Sequence, residues 1–382
     1  MTRRRQLTWF AIALGLGAGG AWAQEAPEQL RQPMTPLEKV TAEVPFHGGS
    51  TLKAYPYVYY TPETDVAFGA GGTLTWRDSR RGPDQRPNSL LAGITYTTRN
   101  QLTISLDPEY RTPDDKWLID GYLGYKDYPD KFWGIGPDAP ASAEEDFAPL
   151  IWDFQASAQS ALGDSPFLLG PSYVLMSYEP QDLDPDGQLA GGDVPGAEGS
   201  LSSGLGVIGA YDTRDQLFAP GHGYYLETEL RFFFPALGSD YTFEQLIIDL
   251  RHYRTLKPGL VLAVQAYSHT IGGDAPFNMQ AMLGGSSLLR GYWTGRYRDR
   301  KAAVLQAEAR FDLVGRLGGA VFAGGGLVGD EFRDWQSSEI KPSVGAGLRF
   351  VFDREANLKL RLDMGFGEAG QSGVYITVKE AF

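Results

Sequence analysis

Cysteine is absent from the 382 residues, which excludes disulfides and thiolate metal sites and leaves an oxidising compartment neither required nor contradicted. Histidine is scarce: His47, His222, His252 and His269 show no ligand spacing and support no Ser-His-Asp grouping. Beyond the first 23 residues no run approaches the roughly 18 apolar residues that a membrane helix needs. Helical membrane spans are thereby excluded. Basic residues are outnumbered, 34 against 47 acidic, for a net charge of −13, and such a balance argues against nucleic acid as a partner.

What is present at the start is an export signal. Arg3 to Arg5 precede an apolar run from Leu7 to about Gly20, and Ala21-Trp22-Ala23 supplies small residues at the cleavage spacing, so residues 1–23 read as a signal peptide removed before Gln24. "TRRRQLT" also fits a twin-arginine signal, but that route carries folded cargo and the strand pattern below needs a chain delivered unfolded. Residues 24–50 form a periplasmic tether or a short plug helix. Thr35, Pro36 and Glu38 fit the N-cap, N1 and N3 positions of a capping box, which predicts a helix to about Val44. The tether is favoured, because so few residues bury little surface.

From Ala54 to Phe382 the apolar period is two. In "LTISLDPEYR", Leu102, Ile104, Leu106 and Tyr110 alternate with Thr103, Ser105, Asp107, Glu109 and Arg111, a pattern that a half-apolar strand explains and a helix does not. A soluble sandwich also alternates, but on strands of about five or six residues. Many of these runs reach about ten, the length a tilted strand needs to cross a bilayer. The expected strands cover 53–61, 65–77, 89–98, 101–111, 116–126, 148–161, 166–178, 201–212, 223–234, 241–253, 258–271, 302–313, 316–328, 342–352, 357–367 and 372–382. The chain therefore reads as all-β, a 16-stranded antiparallel transmembrane barrel over residues 51–382.

With the amino terminus in the periplasm, "TPDD", "GDSP", "LKPG" and "LVGR" become tight periplasmic turns. The long segments 127–147, 179–200, 272–301 and 329–341 become extracellular loops, as outer-membrane barrels require. Two periplasmic connections, 78–88 and 213–222, are longer than that rule predicts. Tyr57, Tyr59, Tyr60, Trp76, Trp117, Tyr122, Trp152 and Tyr224 stand near strand ends and are expected in interfacial girdles.

Residues 288–300, "LLRGYWTGRYRDR", concentrate four arginines, three aromatics and two glycines in the connection between expected strands eleven and twelve. The segment "LLRGYWTGR" resembles the inward-folded sixth-loop motif, aliphatic-Arg-Gly-aromatic, of the BamA/TamA-type assembly factors and two-partner secretion transporters, the bacterial surface antigen superfamily. "YDTRDQLFAPGHG" at the eighth-to-ninth connection and "AEARF" on the twelfth strand extend the likeness over the whole barrel. The resemblance implies that Arg290, with Gly291 and Tyr292 at the loop tip, enters the lumen and is held by carboxylates of the wall. Gln306, Glu308, Arg310 and Asp312 form the polar phase of strand twelve against Leu305, Ala307, Ala309, Phe311 and Leu313, so Glu308 matches the first carboxylate. The second is expected on strand thirteen, where this chain has "VFAGGG" with Gly324 in place of the aspartate. The lock is therefore expected to be incomplete.

The resemblance also implies a charged periplasmic rim turn at Asp212, Arg214 and Asp215. Phe382, after Val374, Ile376 and Val378, resembles the carboxy-terminal barrel-assembly signal, although Glu380 interrupts the apolar face. Asp182, Asp184, Asp186 and Gly187, with Asp193, stand at calcium-loop positions 1, 3, 5, 6 and 12; flanking helices are not expected, so calcium is a minor alternative to no cofactor. "GFGEAG" at 365–370 fits a dinucleotide fingerprint but leaves a strand for a hairpin, with no helix to receive phosphate.

Insertion and secretion members of that superfamily carry periplasmic POTRA modules before the barrel, and residues 24–50 are too few for one. The expected function is an outer-membrane barrel without POTRA modules in a Gram-negative cell, assisting insertion or translocation of a polypeptide or lipid-like substrate. The implied means is a weak seam between first and last strands, with which Pro56 and Gly373 are compatible. A gated diffusion pore with loop six as its constriction is the alternative, and a membrane-embedded enzyme the third reading. Expected partners are outer-membrane lipids, the barrel-assembly machinery during biogenesis and a separate periplasmic protein.

Overall fold

The computed structural model describes residues 42–46, 50–76, 87–114, 116–163, 165–216, 218–353 and 358–382. The expected signal peptide and the capping box lie outside them. Among the described residues, sixteen strands close into an antiparallel barrel: β1 (Ser50–Thr61), β2 (Asp65–Trp76), β3 (Asn88–Thr97), β4 (Leu102–Arg111), β5 (Trp117–Asp127), β6 (Glu145–Ala161), β7 (Phe167–Leu183), β8 (Ser200–Asp212), β9 (Gly223–Phe233), β10 (Phe243–Lys257), β11 (Leu260–Gly273), β12 (Lys301–Val314), β13 (Leu317–Gly329), β14 (Lys341–Asp353), β15 (Leu358–Phe366) and β16 (Ser372–Val378). No helix among them is long and apolar enough to cross a membrane. Crossing is by strands, because a closed ladder satisfies backbone polar groups that lipid cannot.

The period-two pattern decides which face meets lipid. On β12, Leu305 is 63% exposed, whereas Glu308 is fully buried and Gln306 and Arg310 nearly so. The β11–β12 register sets Ala263 opposite Glu308 and Gln265 opposite Gln306, so the inward positions of neighbouring strands share one layer of the lumen. Val58, Phe68, Ile94, Val207, Phe232, Val344, Leu362 and Ile376 continue the apolar outer skin.

Four expectations change. Ala42–Phe46, placed at the end of a tether helix by the sequence, is a strand that pairs antiparallel with Ser50–Ala54 of β1. Its alternating "AEVPF" has an open edge of β1 to join. Tyr59 and Tyr122 point into the lumen and are buried, and Tyr57, in phase with Tyr59, hydrogen-bonds Thr95 at 2.5 Å; of the expected girdle, Trp117, Trp152 and Tyr224 do face outward. The glycine at position 69 makes room for the Tyr57 ring, since an added Cβ there would collide with it. The strands β6 and β7 run 17 residues each, longer than expected, and carry the outer loops on their far ends. Finally, β16 ends at Val378, four residues early. Lys379 takes a left-handed φ of 60°, and Glu380, Ala381 and Phe382 turn into the barrel and are buried.

Candidate functional site

The connection between β11 and β12, loop six, folds back into the lumen instead of standing in solvent. Its two short strands, Ala281–Leu283 and Tyr297–Asp299, pair with each other and bring the tip, Leu288 to Thr294, down against the inner wall. Leu283, Leu289 and Tyr292 are buried in one apolar cluster with Ile247, Val304 and Val328 of the wall. The tip has a tight backbone. Gly291 sits at φ 114°, and a Cβ there would come within 2.8 Å of the Phe366 backbone, so only glycine permits this approach.

Arg290 is wholly buried. One guanidinium nitrogen donates to Glu308 Oε2 at 2.5 Å, the other to Asp363 Oδ2 on β15, and the Phe322 ring lies 3.5 Å beneath its centre. The second carboxylate of the lock therefore comes from β15, not from β13, where Gly324 faces the Gln306 side chain. In "LKLRLDMGF", Lys359, Arg361 and Asp363 alternate with Leu358, Leu360, Leu362, Met364 and Phe366; that inward phase is the available signal for Asp363, but nothing in one chain says which strand lies opposite Arg290.

The lock extends into a larger network. Glu308 Oε1 accepts from Arg310 at 2.7 Å and from Arg349 at 3.4 Å. Arg349 also donates to Asp363 Oδ1 at 2.5 Å and to Glu380 at 2.7 Å, and Glu380 accepts from Lys359 at 3.1 Å. Glu380, which broke the outer apolar phase in the sequence, is thus a lumenal counter-ion. Phe382 likewise faces inward: its ring packs with Tyr253 and Ala263, and its main-chain oxygen accepts from Arg310 at 2.7 Å. A buried ionic network of this kind gains little over an apolar core of equal volume, but removing one member strands its partners at a cost of about 3–5 kcal/mol.

Loop six also touches both sides of the place where the barrel closes. The Gly291 N–H donates to the Tyr375 hydroxyl of β16 at 2.9 Å, and Tyr292 Oη donates to the Pro342 carbonyl at 2.7 Å while accepting from Glu368 N at 2.8 Å. On the other side, Thr294 donates through N and Oγ1 to Glu63, between β1 and β2, at 2.9 and 3.1 Å. Between these anchors β1 and β16 share one ladder pair, Tyr60 with Ile376, whereas other neighbours zip along most of their length.

In the turn between β8 and β9 Asp212 holds Arg214 through two side-chain bonds at 2.9 and 2.8 Å. Asp215 accepts from the backbone of Gly221 and His222 at 2.9 and 3.2 Å, and the Arg214 guanidinium covers the Tyr225 ring at 4.3 Å. These contacts brace a long turn. The aspartates at calcium-loop spacing are not drawn together: Asp182 lies in β7, Asp184 accepts from the Asp186 backbone at 3.1 Å to close a tight turn, and Asp193 is exposed. Among the described residues no three acidic or histidine side chains gather as a metal site needs.

The Omp85 superfamily domain model matches residues 173–366, a span from within β7 to the end of β15 that holds all of loop six. No curated protein matches the chain by sequence. Among solved structures, BamA from Haemophilus ducreyi lacking POTRA domains 1–3 superposes with a TM-score of 0.58 at 12% identity, over 89% of this chain and 74% of that one. CdiB from Acinetobacter baumannii gives 0.53 at 12% over 90% and 66%, and CdiB from Escherichia coli 0.58 at 10% over 88% and 64%. This chain thus spans about two thirds to three quarters of those chains, and at such identities the likeness is one of fold.

Proposed function

The chain belongs to the Omp85 superfamily, and from that we propose that it is an outer-membrane barrel assisting insertion or translocation of a polypeptide or lipid-like substrate at its own β1–β16 seam. The observation that carries this reading is the single ladder pair closing that seam. In lipid an unpaired backbone group costs several kcal/mol, so a barrel evolved only for closure has every reason to zip its last strand fully. A short β16 leaves a strand edge that an incoming segment can extend by β-augmentation. Loop six, anchored on both flanks, supports the same reading, since its position bears on how readily the flanks part.

A chain without cysteine makes the test clean. Tyr60→Cys with Ile376→Cys places two thiols on directly opposed residues, a separation that suits a disulfide. Purified barrel in liposomes is expected to accelerate insertion of a second, unfolded barrel, to lose that activity when the pair is oxidised, and to regain it with reductant. Equal activity in the oxidised form would refute a working seam. A large, steady single-channel conductance that the disulfide leaves unchanged would instead favour a diffusion pore with loop six as constriction.

A further inference from the structure

Of the four arginines in loop six, two have carboxylate partners, Arg290 in the lock and Arg300 on Asp330 at 3.1 Å. Arg298 does not. It is 3% exposed, its Nε reaches the Gly295 carbonyl at 3.3 Å, and the Phe132 and Phe277 rings flank it at 5.1 and 5.7 Å. Among the described residues no carboxylate lies within ion-pairing distance of it. A guanidinium cannot shed its proton to escape burial, so this is a fixed positive charge held in an aromatic collar with no carboxylate in contact, the Asp130 charge acting on it only from across the cavity, an arrangement costly enough to need a reason.

The guanidinium borders a cavity of about 90 Å³ beneath the outer loops, which Lys126 and Tyr178 also line. That volume holds several waters or one small oxyanion. Tyr178 is 2% exposed, and its hydroxyl has no hydrogen-bond partner. The one carboxylate on the wall, Asp130, already accepts from Trp293 Nε1 and from the Lys131 backbone, both at 2.8 Å. Asp130 is thus engaged elsewhere, and Arg298 faces the cavity with no carboxylate in contact. The cavity's charged and hydroxyl donors, Arg298, Lys126 and Tyr178, come from loop six, β5 and β7.

We propose that this cavity is a binding site for a phosphate-sized oxyanion, with Arg298 as the principal ligand and the Tyr178 hydroxyl as a second donor. Planar paired donors of a guanidinium match two oxygens of a phosphate, and the apolar collar strengthens the contact by excluding water. The anion comes either as free phosphate or as the headgroup of a phosphate-bearing lipid; both present the same oxygens. Because Arg298 belongs to loop six, an occupant ties that loop to β5 and β7, on the opposite side of the tip from the Arg290 lock.

The test is calorimetric titration of the folded, detergent-solubilised chain in chloride buffer with inorganic phosphate and, separately, with dihexanoyl phosphatidic acid against dihexanoyl phosphatidylcholine. Saturable binding is expected, weakened about tenfold or more by Arg298→Gln and less by Tyr178→Phe. Phosphate and phosphatidic acid binding alike indicates a free-anion site, and phosphatidic acid alone indicates a headgroup site. The proposal is overturned if neither binds, or if both variants, shown by thermal unfolding to be folded, bind as the parent does. Arg300→Gln, which keeps Arg298, is the matched control and is expected to bind normally.

Discussion

The Gly291 N–H and the Tyr375 hydroxyl are 2.9 Å apart, so the tip of loop six is hydrogen-bonded to the last strand of the barrel. Three residues on, Thr294 is bonded to Glu63 beside the first strand. One loop therefore spans the closure from within, and the two ends of the barrel wall are held more by what lies inside them than by their own ladder.

Removing the Tyr375 hydroxyl tests that coupling. Tyr375→Phe leaves the buried Gly291 N–H without its acceptor, a cost of about 1–3 kcal/mol. Hydrogen exchange is expected to quicken in β1 and β16 and to stay unchanged in β6 and β7. Uniform quickening around the barrel would mean that the bond serves global stability alone.

Within the lock, Glu308 and Asp363 each face three arginines, those of Asp363 being Arg290, Arg349 and Arg361. Glu308 faces Arg290, Arg310 and Arg349, so Glu308→Ala leaves three guanidinium groups without it, while Asp363→Asn keeps an oxygen acceptor. Thermal unfolding is expected to show Glu308→Ala destabilised by about 3–5 kcal/mol, with Asp363→Asn milder. Arg290→Ala is expected to open protease access at Tyr292 without dissolving the barrel, and unchanged access in Arg290→Ala and Glu308→Ala would speak against the lock.

Gly291→Ala makes a geometric prediction. Its Cβ would meet the Phe366 backbone at a left-handed φ, so the tip cannot dock unchanged, and cleavage near Tyr292 should rise as in Arg290→Ala. Gly238→Ala has a comparable φ of 91° but open space around its Cβ. That variant is expected to leave loop six protected.

Acidity should act through Asp130, which lies beyond the end of β5. Burial pushes its carboxyl up to about 6, opposed by the Trp293 N–H, the Lys131 backbone and the positive field of Arg298, and aided by the nearby Glu63 charge. A folded value above the ordinary 3.8 means that the native state binds the proton more tightly than the unfolded chain. Ionising Asp130 in place therefore costs stability that is fully lost above pH 6 and not lost below about 4. The midpoint of Asp130→Asn minus that of the parent should be positive at pH 7.5 and shrink toward zero near pH 4; a difference constant over that range would show that this carboxyl does not titrate as described.

Strand number, strand order and lumenal phase were legible in the sequence because a period of two is set by backbone geometry and lipid, and needs no knowledge of distant contacts. Arg290 and Glu308 were legible because local context marked them: a glycine-aromatic tip on the right connection, and an alternating strand. Asp363 and Glu380 were not read as partners, since pairing across the lumen depends on how far the loop descends and which strands it meets. The inward tyrosines failed for a related reason. Near a strand end an aromatic suits either face, and it is the glycines of the neighbouring strand that admit it to the interior.

The small strand Ala42–Phe46 has a further consequence. It lies on the same edge of β1 that β16 meets only at Tyr60, and three residues separate it from that strand, so its local concentration there is of millimolar order or above. Under the proposed function, a guest segment at the seam would compete with this tethered resident for the same backbone donors. Admission would then be a contest of strand-forming strength, in which weak competitors are refused before the wall parts.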